Sequence, residues 1–103
     1  MPQQYISKTT GSDLLAAIKK SIDDGKVATW AYDSDGDFYH LPAQWSKKAW
    51  LRPTTSGLVL TLKYIPSDGL KPDDLYGVMY GRFHEMMLNH HLQRFTTSSF
   101  VAP

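Results

Sequence analysis

The sequence predicts a two-layer α+β domain: a largely antiparallel four-stranded sheet of two hairpins, covered on one face by an N-terminal and a C-terminal helix (α-β-β-β-β-α). Three observations carry this expectation. Two stretches of alternating polar and apolar residues are each interrupted by a pair ending in glycine, Asp35-Gly36 and Ser56-Gly57, the pattern of a hairpin turn. Segments with apolar residues at helical spacing flank them on both sides. Neither an internal repeat nor a linker divides the 103 residues, so one domain, 1–103, is expected, long enough to bury a core.

The first helix is read in "SDLLAAIKKSIDDGK". Ser12 suits its N-cap, Asp13 favours the positive end of the helix dipole, and Gly25 stands where a left-handed C-terminal cap is expected. Leu14, Leu15, Ile18 and Ile22 share one side, and Lys19, Lys20 and Asp23 the other. This amphipathic pattern fits a helix docked on a sheet.

In the first hairpin, a two-residue Asp35-Gly36 loop would pair Ser34 with Asp37, Tyr32 with Tyr39, and Trp30 with Leu41. Cross-strand partners share a face. Trp30, Tyr32, Tyr39 and Leu41 are therefore expected in the core, with Thr29, Ala31, Asp33, Phe38 and His40 on the other face. The second hairpin, turned at Ser56-Gly57, pairs Thr54 with Val59, Arg52 with Thr61, Leu51 with Leu62, and Trp50 with Lys63. Its inner face is Ala49, Leu51, Leu58, Leu60, Leu62 and Tyr64; its outer face is Lys48, Trp50, Arg52, Lys63 and Ile65. Pro53 lacks an amide donor and places its strand at an edge or near an end.

Pro72 and the aspartates after it announce the second helix, which runs through "LYGVMYGRFHEMMLNHHL". Tyr76, Met79, Tyr80, Phe83, Met86, Met87 and His90 form its apolar stripe, opposite Arg82, Glu85 and Asn89. Gly77 and Gly81 permit close backbone approach; packing on Ala16 and Ala17 of the first helix is expected, and a two-fold helix interface would use the same geometry. The tail 96–103 has no helical pattern and reads as a mobile end that Phe100 and Val101 could tie down.

Composition narrows the chemistry. Eleven basic and ten acidic side chains leave a formal charge of +1, so the molecule as a whole has no strong attraction to nucleic acid or anionic membrane. With no cysteine, disulfides, thiolate zinc sites, iron–sulfur clusters and cysteine nucleophiles are excluded. No apolar run approaches the roughly 18 residues of a membrane span, and the first residues are polar. A cytoplasmic protein without membrane contact is the resulting expectation.

Two motifs resemble metal sites and fail. In "HEMMLNHH", the position four after His84 is Leu88 rather than histidine, and His84 and His91 stand about 10 Å apart along a helix. His91 instead fits the negative end of the helix, and His90 points into the apolar stripe. Asp33, Asp35 and Asp37 have the first three spacings of a calcium loop, but Phe38 occupies the glycine position and Gln44 the position of the bidentate glutamate. No metal or cofactor is expected.

The outward residues Phe38, His40, Lys48, Trp50, Arg52 and Lys63 are the expected binding face. Tryptophan and arginine are enriched at binding hot spots, and an apolar centre with a polar rim suits a protein partner or a second copy of the chain. Taken singly, Lys63 covering Trp50 would be an ordinary cation–π contact. Single-stranded nucleic acid, stacked on Trp50 and Phe38 beside Lys48, Arg52 and Lys63, is the second reading. A small enzyme using His40 oriented by Asp33 is the third. No nucleophile elbow, Walker loop or dinucleotide fingerprint is present, so a non-catalytic binding or assembly protein is the leading expectation.

Overall fold

A computed structural model describes residues 2–42, 46–69 and 75–100. Its elements in order are β1 (Gln3–Ser7), α1 (Gly11–Asp23), β2 (Trp30–Tyr32), β3 (Phe38–His40), β4 (Ala49–Ser56), β5 (Val59–Pro66), α2 (Tyr76–His90), a 3-10 turn (Leu92–Arg94) and β6 (Phe95–Phe100). The class is α+β, as expected, but six strands rather than four form one antiparallel sheet, in the order β2-β3-β4-β5-β1-β6. Both helices bury their apolar sides in a single core on one sheet face.

The two extra strands come from the two ends of the described chain and lie together at one edge of the sheet, beyond β5. In β1, the inward side chains are Gln3, Tyr5 and Ser7, all buried; two of the three are polar, which hides the alternation that betrays a strand. β6 pairs with β1 through Gln3↔Phe100 and Ile6↔Thr97. Residues 96–100 of the anticipated tail lie in this strand, and 101–103 fall outside the described residues.

Helix α1 begins earlier than Ser12 would place it. Thr10 is the N-cap, its Oγ1 accepting a hydrogen bond from the Asp13 amide at 3.0 Å. Gly11 follows because a Cβ there would stand 2.3 Å from the Val59 carbonyl oxygen. At the other end Gly25 takes φ +77°, the left-handed conformation a C-terminal cap requires.

The first hairpin turns differently from the two-residue expectation. Asp33 N–H donates to the Asp37 carbonyl at 3.0 Å, and Gly36 N–H to the Asp33 carbonyl at 2.9 Å. Asp33 Oδ1 also accepts from the amides of Asp35 and Asp37. A three-residue loop results, with Gly36 alone at positive φ, +85°, where a type I′ turn would need two such residues. The observed pairs are Trp30↔His40, Ala31↔Tyr39 and Tyr32↔Phe38. A one-residue slip exchanges the faces of the whole strand: Phe38 and His40 turn into the core, and Leu41 is exposed.

The second hairpin slips by an even step and keeps its faces. Ser56 pairs with Val59, so Gly57 and Leu58 form the turn and Leu58 is exposed rather than inward. Thr54 pairs with Thr61, Arg52 with Lys63, Leu51 with Tyr64 and Trp50 with Ile65. Moving the turn by one residue shifts each partner by two positions, and two positions restore the same face. Pro53 lies in a central strand. Ser67 N–H donates to the Lys48 carbonyl, so even positions of β4 bond β5 and odd ones face β3. β3 pairs with β4 only as far as Phe38↔Leu51, and the missing donor of Pro53 falls beyond that end.

The start of α2 predicted at Pro72 lies outside the described residues. From Tyr76 onward Tyr76, Met79, Tyr80, Phe83, Met86 and Met87 are buried, and the Phe83 ring meets Trp30, Phe38 and Tyr5 at centroid distances of 5.2, 5.4 and 6.3 Å. His90 is not in this stripe: it is exposed, and His91 is buried. The helix ends at His90, and His91 at φ −133° has left the helical rotation, which turns its side chain inward. Gly77 and Gly81 do not pack on α1. Both are exposed, with open space where a Cβ would be.

Candidate functional site: the outer sheet face and a polar cleft

The outer sheet face is built from β4 and β5. Trp50 and Ile65 lie side by side across the pair and are half-buried, while Arg52 and Lys63 on the next rung are exposed. Lys48, also exposed, precedes β4. Four of the six expected site residues thus gather here. Phe38 and His40 do not; they are on the core side, at 0% and 5% exposure. Nor does Lys63 stand opposite Trp50, since the register puts Ile65 there. The cation–π contacts among the described residues are Lys19 over Tyr32 and Lys47 over Tyr39, at 5.1 and 6.0 Å.

Arg52 is anchored by a residue not anticipated as part of this surface. Its Nε and Nη2 donate to the two carboxylate oxygens of Asp37 at 3.1 and 2.8 Å, a fork geometry peculiar to arginine. Asp37 is buried, and its hydrogen bonds and charge raise the Arg52 pKa still further. A depression of about 380 Å³ adjoins the pair, with Pro2, Arg52, Thr54, Thr61 and Lys63 among its walls.

Each histidine has a distinct position. His84 Nδ1 shares a 2.9 Å hydrogen bond with the Tyr5 hydroxyl, which burial holds protonated. His91 Nε2 lies 3.1 Å from Ser21 Oγ. That pair is not arranged as a base and nucleophile, because Ser21 gives its hydroxyl proton to the Ile18 carbonyl at 2.8 Å. His91 Nε2 must therefore donate to Ser21. This leaves His91 Nδ1 a bare lone pair, buried and, among the described residues, without a partner. Burial, reinforced by Arg94 and His90, pushes its pKa down to about 4.

His40 packs against Trp30, ring centroids 4.7 Å apart, and its Nδ1 is also buried, with no hydrogen-bond partner among the described residues. Its pKa is lowered, first by burial and then by Arg82, against opposing contributions from Thr29 and Glu85. Asp33 does not orient it, being turned to the other face with its Oδ1 on two loop amides. The carboxylates of Asp33, Asp35 and Asp37 do approach within 4.8 Å of one another. Turn formation and the grip on Arg52 account for Asp33 and Asp37.

A second concavity lies on the helix side of the molecule. About 460 Å³ in volume, it is bounded by the segment after α1, by β3 and by α2, and its walls include Lys26, Thr29, His40, Arg82, Glu85 and His90. No sequence signal could have found it, because three separate elements assemble it. Asp37 was more accessible to inference, since it alternates outward once the loop is known to have three residues.

Comparison of the chain with protein-family models, with curated proteins and with solved structures returns no match.

Proposed function

We propose that the protein is a non-catalytic binding or assembly module that associates with another protein, including a second copy of itself, through the outer sheet face around Trp50. The observation that carries this reading is the Trp50–Ile65 pair, which among the described residues has neither helix packed over it. An aromatic and a branched aliphatic side chain make an apolar centre; Arg52, Lys48 and Lys63 make a charged rim. Because Asp37 holds the Arg52 guanidinium in one orientation, less side-chain freedom is lost when a partner binds. Protein association is favoured over single-stranded nucleic acid because Phe38, one of the two stacking platforms that reading needs, is buried beside Phe83.

The test is light scattering during size-exclusion chromatography, comparing the native protein with Trp50→Ala. A species of about twice 11.7 kDa that the folded variant returns to monomer supports self-association through this face. A dimer that Trp50→Ala leaves intact assigns the contact elsewhere. If the native protein is monomeric, both forms serve as bait for a heterologous partner, and equal retention by the folded variant overturns the assignment.

A further inference from the structure

The cleft beside His40 has a neighbour along the same flank of the molecule. The neighbour, about 350 Å³, shares Lys26 and His90 and adds Lys20, Ser21, His91 and Arg94. Among the described residues, the two clefts together are lined by four fixed cations, Lys20, Lys26, Arg82 and Arg94, and by two carboxylates, Asp24 and Glu85, in a chain whose formal charge is +1.

Part of this charge has a structural explanation. Lys20 is bound to Asp24 at 3.0 Å, and Arg94, close beyond α2, complements the negative end of that helix. Lys26 and Arg82 are different. Arg82 sits mid-helix, and its ion pair is a loose one, 3.7 Å to Glu85 with both side chains more than half exposed. Lys26 has no ion pair among the described residues. Both line the cleft at which the buried His40 ring also arrives, its Nδ1 without a hydrogen-bond partner among the described residues.

We propose that this cleft binds a small molecule carrying an oxyanion, a carboxylate or a phosphate, with Arg82 and Lys26 as its charge receptors. The planar guanidinium takes two oxygens of such a group and the ammonium a third. Thr29 and Asn89 offer further donors, and Val27 and Met86 an apolar wall for the rest of the ligand. The volume is within the range of small-molecule sites. Glu85 is the specificity element: an oxyanion displaces it from Arg82, and its carboxylate rejects a ligand that brings negative charge to that wall as well.

The experiment is a titration of the isotope-labelled native chain with inorganic phosphate and, separately, succinate, followed by amide and imidazole NMR signals. Saturable shifts are expected at Thr29, Glu85 and the His40 ring, with Kd at least about tenfold weaker in Arg82→Gln and in Lys26→Gln, equivalent to about 1.4 kcal/mol. Lys8→Gln, on the β1–α1 connection, is the control for general screening and retains the native Kd. Saturation by only one probe identifies which oxyanion the site takes. Shifts that never saturate, or that persist unchanged in a folded Arg82→Gln variant, overturn the proposal. Signal dispersion in each variant's spectrum verifies folding.

Discussion

Arg52 and Asp37 form a two-pronged ion pair between an exposed guanidinium and a buried carboxylate, joining the first turn to the central strand β4. The consequences of breaking it are asymmetric. Arg52→Gln strands a desolvated carboxylate, whereas Asp37→Asn leaves an arginine that water can solvate. The first is expected to lower the urea midpoint more than the second, and the double variant to recover part of the loss. A double-mutant cycle measures this, and equal single effects would contradict it.

Gly11 and Gly81 should respond to alanine with opposite signs. A Cβ on Gly11 meets backbone of β5, which cannot move aside, so Gly11→Ala should cost about 1–3 kcal/mol. Gly81 is in a helix interior with open space around it, and Gly81→Ala should stabilise by about 0.5–1 kcal/mol. Chemical denaturation of the two variants checks both signs.

Tyr80 places its hydroxyl against the backbone of β5. The Tyr80 hydroxyl donates to the Leu62 carbonyl at 3.0 Å and accepts from the Tyr64 amide at 2.8 Å. Tyr80→Phe should cost about 1–3 kcal/mol through these buried backbone groups. Hydrogen exchange should show the Tyr64 amide losing protection before the rest of β5.

Stability should fall on mild acidification. His91 and His40 are both neutral and buried, with folded pKa values lowered from 6.5, that of His91 to about 4. The unfolded chain therefore takes up protons below pH 6.5 that the folded chain refuses. The histidine contribution is complete above pH 6.5 and is lost as pH falls towards 4. Thermal unfolding between pH 7 and 4 should show this decline, and His91→Gln should flatten it. An unchanged slope in that variant would remove His91 as the cause.

Much of the architecture was legible because local patterns encode it. The apolar stripe of α2 from Tyr76 to Met87 follows from helical spacing alone, and the alternation of β4 and β5 identified Trp50, Arg52 and Lys63 as outward despite a displaced turn. His90 and His91 were interchanged because one residue beyond a helix end the periodicity no longer applies. β1 was hidden because Gln3 and Ser7 occupy inward positions where a pattern search expects apolar residues.

By itself the sequence determined an α+β chain with two amphipathic helices, a hairpin pair, and the faces within each continuous strand, since adjacent residues of one strand have no freedom to change sides. Tertiary structure decided whatever depends on how separate segments meet. One amide-accepting oxygen on Asp33 added a residue to a turn and sent Phe38 and His40 from the surface into the core. Pairing with β5 and β6 made a strand of Gln3–Ser7, and the approach of α2 to the segment after α1 brought Lys26 and Arg82 to one cleft. These outcomes rest on contacts between residues far apart in the chain, and local periodicity contains no term for them.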